Sequence, residues 1–119
     1  ITNVKEKYIY MTNRQASLNQ ENNVARALGG RRTPNSGATS FVKGDVIVGN
    51  VIIECKTKTK EVNRFTIYES WLKELNEEKI GMGKALAALA ISFNAGDKNY
   101  YVIDENAMKM LVEMVNEEV

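Results

Sequence analysis

Asp45, Glu54 and Lys56 stand at a spacing that can do chemistry. Two β-rich runs, DVIV and VIIEC, flank Gly49-Asn50, and two residues of this type between such runs predict a tight hairpin. The turn sets the register. Val48 faces Val51, Ile47 faces Ile52, Val46 faces Ile53 and Asp45 faces Glu54. Opposed residues share a face, with Cβ atoms ~5 Å apart. Alternation along the second strand keeps Lys56 on the face of Glu54 and sends Cys55 to the other. Two facing carboxylates repel, and three arrangements relieve them: a retained proton, neutralisation by Lys56 or Lys43, or a divalent cation between them. The donors are oxygen, so the expected cation is Mg²⁺ or Mn²⁺. Such an ion, beside Lys56 and an inward-facing Glu21, activates water for attack on phosphorus.

The remaining inventory narrows the chemistry further. Histidine is absent from the 119 residues, which excludes Ser-His and Cys-His triads, HExxH metalloproteases and nucleases with a histidine base. The single cysteine, Cys55, excludes an intrachain disulfide and a multi-cysteine zinc site, and fits a reducing cytoplasm. No apolar stretch approaches the ~20 residues of a membrane span. The opening ITNVKEKYIY lacks the apolar core of a signal peptide. A cytoplasmic protein with no membrane partner is therefore expected, the host cytoplasm if the source is viral. The length fits one domain, and 44% apolar with 26% charged residues is ordinary globular composition.

The net charge of +1 is unevenly spread. Residues 26–64 hold Arg26, Arg31, Arg32, Lys43, Lys56, Lys58, Lys60 and Arg64 against three carboxylates, a balance of +5. Residues 97–119 carry a balance of −4. The basic segment suits a polyanion, the alternative being scattered solvated lysines. Within it, the loop GGRRTPNSGATSFVKG (29–44) has the content of a phosphate contact. Small residues such as Ser36 allow close approach, and Arg31 and Arg32 supply forked donors. The alternative is a mobile surface loop.

These residues need elements to position them. Residues 1–16 read as an arm, a short strand or a disordered segment, and 17–119 as the domain. A first helix is expected from Ser17, capped with Gln20 and stopped by Gly29-Gly30, with Glu21, Val24 and Leu28 on its inward stripe. A second is expected from Thr66, capped with Glu69, carrying Ile67, Trp71 and Leu75 inward and running to about Lys79. Trp71 and Tyr68 are expected in the core. ALAALAISF fits helix or buried strand; the bracketing glycines and asparagine favour strand. YYVI is a further strand. Asp104 caps a last helix with Ala107, Met108, Leu111, Val112 and Val115 on its apolar face. The order α-β-β-(β)-α-β-β-α gives a mixed α/β domain.

Gly44-Asp45, VIVGNVII and Glu54-Cys55-Lys56 together resemble the PD-(D/E)XK nuclease signature, an acid on one strand and E-x-K on the next. The preceding helix with Glu21 and the basic loop match as well. The small size and element order are most similar to archaeal and phage Holliday-junction resolvases, over about Ser17 to Phe93. The resemblance implies a restriction-endonuclease-like mixed sheet flanked by helices, with an α-β-β-β-α-β core. It implies Asp45 as central metal ligand, Glu54 as the second, the Cys55 carbonyl as a further ligand, and Glu21 holding or positioning a second ion. Lys56 would orient the attacking water and offset charge on phosphate. Two departures stand out: Gly44 replaces the motif's proline, and Cys55 takes a usually aliphatic position.

The expected activity is therefore Mg²⁺-dependent hydrolysis of phosphodiester bonds in branched DNA, of Holliday-junction resolvase type, by a homodimer. The competing readings are a nicking, restriction-like or flap nuclease of the same fold, and a catalytically silent DNA-binding module. The proposed DNA contacts are Arg26, Arg31, Arg32, Ser36, Lys43, Lys58 and Lys60.

Overall fold

The computed structural model describes residues 11–33 and 45–117. Residues 1–10 and most of the basic loop, Ser36 and Lys43 included, lie outside the described residues. The chain runs α1 (Asn13–Leu28), β1 (Arg31–Arg32), β2 (Val46–Val48), β3 (Val51–Thr57), α2 (Glu69–Gly81), β4 (Leu86–Ser92), β5 (Asn99–Val102) and α3 (Glu105–Asn116). The described strands form one mixed five-stranded sheet in the order β1-β2-β3-β4-β5. The β3–β4 pair is parallel and the others are antiparallel.

Strand alternation sorts the core into two clusters. Val46, Ile53, Ala88 and Ala90 pack with Val24 of α1, while Ile47, Ile52, Leu89 and Ile91 pack with Leu75 of α2. Burial on both faces explains why VIIEC and LAALAIS read as continuous apolar runs. The hairpin register is the one set by its turn: Val46 opposite Ile53, Ile47 opposite Ile52, Val48 opposite Val51. Gly49, at φ +55, takes the first central position, where a II′ turn calls for glycine.

Helix boundaries depart from the sequence reading. α1 starts at Asn13 and not at Ser17: Thr12 accepts from the Gln15 N–H, and Gln15 reaches back to the Thr12 N–H. Four of the sixteen residues read as an arm are therefore helical. The earlier start also changes the buried stripe, which runs through Ala16, Gln20 and Val24 at four-residue spacing and leaves Leu28 exposed. α2 begins at Glu69 after Tyr68, with no side-chain cap, so the Thr66–Glu69 box does not form. Tyr68 is exposed, set edge-to-face against Trp71, which packs beside Leu75. The additional strand, β1, precedes the hairpin and does not follow it. On α3, capped by Asp104, only Ala107 is buried, and Met108, Leu111, Val112 and Val115 face outward.

Candidate active site

The hairpin ladder ends at Val46–Ile53, and Asp45 leaves strict register. Its N–H donates to the Ile53 carbonyl at 2.9 Å, while its own carbonyl accepts from Thr33 N–H, just past β1, at 3.0 Å. With its N–H on Ile53, the residue already opposite Val46, Asp45 turns its carboxylate toward β3, where Oδ2 accepts from the Cys55 N–H at 2.8 Å. A backbone donor thus fixes this carboxylate. The direct Asp45–Glu54 opposition expected from the turn is replaced by a diagonal one, yet the two carboxyl groups still meet through a side-chain hydrogen bond.

Glu54 is displaced furthest from its ordinary chemistry. Burial, then the Asp45 charge and the hydrogen bond with Asp45, then the Glu78 charge, push its carboxyl up to about 8, against the opposing pull of Lys56. One proton is therefore held between two crowded carboxyl groups near neutral pH. Lys56 stays on the Glu54 face as alternation requires, its Nζ 4.7 Å from the centre of the Trp71 ring. Cys55 points to the α1 face, where burial pushes its thiol up and leaves it an unreactive packing group.

Glu21 reaches the site from α1, but its Oε1 lies 3.2 Å from Arg32 Nε. Burial and the Asp45 charge raise its pKa, and Arg32 and Arg14 oppose them. Glu21 thus feels Asp45 electrostatically while its hydrogen-bond partner is an arginine. Among the described residues no group of three acids or thiols converges closely enough to hold a metal ion. The two-carboxylate pair still fits Mg²⁺ or Mn²⁺. Such ions are commonly held by one or two carboxylates, with water and substrate phosphate at the other positions, and a cation here would replace the proton that the pair now retains. Asp45, Glu54 and the Cys55 carbonyl are the groups that would hold it.

The proposed phosphate contacts separate. Arg26, Arg31, Lys58 and Lys60 are exposed; Arg32, also exposed, is committed to Glu21. Arg32 and Asp45 lie at the same end of the sheet as Lys56 and Lys58. This is the carboxyl end of β3 and β4, where open α/β sheets usually receive ligands.

Two contributors were missed by the sequence reading. Gln20, fully buried on α1, donates through Nε2 to the Lys56 carbonyl at 2.9 Å and lies within 3.2 Å of the Ala90 carbonyl and 3.0 Å of Asn99 Oδ1. Its four-residue spacing from Ala16 and Val24 is the signal that reveals it. Glu78 places a charge near Glu54, and it follows Trp71 and Leu75 at i+7 and i+3 on the inward side of α2. Comparison with family models, curated proteins and solved structures finds no match for this chain.

Proposed function

We propose that this protein is a metal-dependent, structure-specific DNA endonuclease of the PD-(D/E)XK type, with a restriction-endonuclease-like fold and Holliday junctions as its preferred target. The observation that carries the reading is the half-buried Asp45–Glu54 carboxyl pair with Lys56 two residues along the same face. Asp45, locked by the Cys55 N–H, and Glu54 hold Mg²⁺, which when bound supplies Lewis acidity toward a phosphoryl oxygen and its attacking water. Lys56, anchored through its carbonyl by Gln20, presents its ammonium to the attacking water and the phosphate. Arg31 and Lys58 contact flanking phosphates and set the register of the strand. Glu21 positions Arg32 and tunes the field at Asp45.

Paired cuts in a two-fold branched substrate suit two sites on a two-fold axis, so the acting species in this reading is a homodimer. Support comes from α3. Met108, Leu111, Val112 and Val115 lie at three-to-four-residue spacing and are 49%, 47%, 45% and 69% exposed, a stripe that a second copy of the same helix can cover. Leu111→Asp is expected to shift sedimentation from dimer to monomer. No described helix is long and apolar enough to cross a membrane, and a reducing cytoplasm is the proposed compartment.

The deciding experiment is cleavage with Mg²⁺ of a four-way junction, a flap, a duplex and a single strand, side by side. Junction cleavage in symmetric pairs supports the full reading. Cleavage of another substrate alone keeps the nuclease and removes the resolvase. Binding without cleavage of any substrate leaves a silent DNA-binding module.

A further inference from the structure

Lys56, Ile91 and Tyr100 form one row across β3, β4 and β5. Directly paired residues share a face, so Tyr100 lies on the same side of the sheet as Lys56, two strand spacings or ~10 Å away. The sheet end between and beyond them is lined with aromatic rings and ammonium groups. Lys58 Nζ lies 5.3 Å from the Phe65 ring centre, Phe65 meets Phe93 edge-to-face at 6.0 Å, and Phe93 meets Tyr100 at 5.8 Å. Lys98 Nζ lies 5.5 Å from the Tyr100 ring, which is 48% exposed.

An open cleft of about 290 Å³ ends this belt, lined by Val62, Asn63, Phe93, Asn94, Lys98 and Tyr100. The Val62 N–H donates to the Phe93 carbonyl at 2.8 Å, which pins one wall to the end of β4. Asn94 Oδ1 is a buried acceptor without a partner among the described residues. The cleft therefore joins an exposed π-face, an exposed ammonium group and two amide side chains, a group that can both donate and accept. That combination matches one ligand chemistry: a flat heteroaromatic ring with hydrogen-bonding edges and an attached phosphate.

We propose that this cleft receives an unpaired nucleobase of the DNA strand whose phosphate lies at Asp45, Glu54 and Lys56. The base stacks on Tyr100, its edge meets the Asn63 and Asn94 amides, and Lys98 turns from the ring to the phosphate. Aromatic platforms of this kind tolerate any base, because each base has a π-face. The inference rests on the nuclease reading and adds to it a reason for structure preference. Paired bases inside a duplex cannot reach the cleft, whereas bases at a branch point can.

The test is binding of a twelve-nucleotide oligo-dT strand, and of a duplex of equal length, in EDTA. One position of a second strand carries 2-aminopurine to report stacking. Wild-type protein is expected to bind the strand and quench the 2-aminopurine. Tyr100→Leu keeps apolar bulk and removes the stacking face. It is expected to weaken strand binding about tenfold and abolish the quench, with duplex binding within twofold of wild type. Lys98→Gln should lower the salt slope for the strand by about one. The proposal is overturned if wild-type protein fails to bind the strand, if Tyr100→Leu binds it as wild type does, or if strand and duplex weaken equally. Cleavage by wild-type protein with Mg²⁺ is scored separately, so loss of the base cleft and loss of the nuclease reading give different results.

Discussion

The Gln20 side chain on α1 donates a hydrogen bond of 2.9 Å to the backbone carbonyl of Lys56 on β3. The helix is thereby tied to the one strand that carries both Glu54 and Lys56. The amide is fully buried, and its Nε2 also lies within reach of Ala90 O and Asn99 Oδ1. Its two amide hydrogens serve the buried Ala90 carbonyl and the part-buried Lys56 and Asn99 oxygens, and removing them costs ~1–3 kcal/mol for a buried acceptor left without a donor.

Gln20→Ala is accordingly expected to lower stability by roughly 2–4 kcal/mol, read as a shift in urea midpoint at constant m. Gln20→Glu should be worse at pH 8 than at pH 5, because the new carboxylate faces carbonyl oxygens and must stay protonated to donate. Equal loss at both pH values would argue against the donor role.

The sheet was legible where two residues settle geometry between them. Gly49-Asn50 fixed the hairpin, and the bracketing turn residues separated strand from helix for residues 86–92. The starts of the first two helices were not legible, because Thr12, Ser17 and Thr66 all stand three residues before Gln or Glu and only tertiary packing selects among them, whereas the Asp104 cap of the last helix was. With Ser17 as the cap, Gln20 falls inside the first turn. The carboxylate pair was readable from strand alternation. The departure of Asp45 from register was not, since its N–H bonds the carbonyl of Ile53, which already stands opposite Val46. Nothing in the spacing of Arg32 showed that it would pair with Glu21.

Gly96 provides a second test of how α1 is held. Its φ is +87, and a Cβ there would stand 2.5 Å from the Gln20 backbone nitrogen. The loop is clamped to α1 by Asn19 donating to the Ala95 carbonyl and Asn23 donating to the Gly96 carbonyl. Gly96→Ala combines backbone strain with a clash against helix backbone and is expected to cost ~3 kcal/mol or more. Gly49→Ala meets open space at φ +55 and should cost only about 1 kcal/mol. Similar losses at both positions would remove the close-approach argument.

Arg31 and Arg32 are neighbours with different commitments. Arg31 is exposed, while Arg32 is paired with Glu21. Arg31→Ala is expected to reduce the salt slope of DNA binding by about one and leave stability within ~0.5 kcal/mol. Arg32→Ala also takes away a charge that lowers the Glu21 pKa, so the Glu21 carboxyl should titrate higher. NMR titration of Glu21 together with filter binding across salt distinguishes the two. Identical behaviour of the two variants would contradict the assigned pairing.

The Asp45–Glu54 pair makes stability depend on pH with a definite sign. Glu54 titrates near 4.5 when unfolded and at about 8 when folded, so the folded state binds more protons between those values. Stability is therefore greatest below about pH 4.5 as far as this group is concerned, and falls as pH rises toward 8. Metal-free protein should lose ~5 °C or more in Tm between pH 5.5 and 8.5 through this pair. Mg²⁺ should restore more stability at pH 8.5 than at pH 5.5, because it must displace a retained proton at the lower pH. Asp45→Asn keeps an oxygen for the Cys55 N–H and offers an amide donor to Glu54. It should flatten the pH dependence, raise metal-free stability at pH 8.5 and abolish the Mg²⁺ effect. Cleavage should nevertheless fall by orders of magnitude, since the interaction lost with the metal is worth several kcal/mol at phosphorus. Lys56→Ala should retain the Mg²⁺-dependent Tm shift while slowing cleavage, because its ammonium acts on water and phosphate and is not a ligand. An Asp45→Asn protein that is less stable without metal and cleaves at the wild-type rate would overturn the assignment of this pair as the metal site.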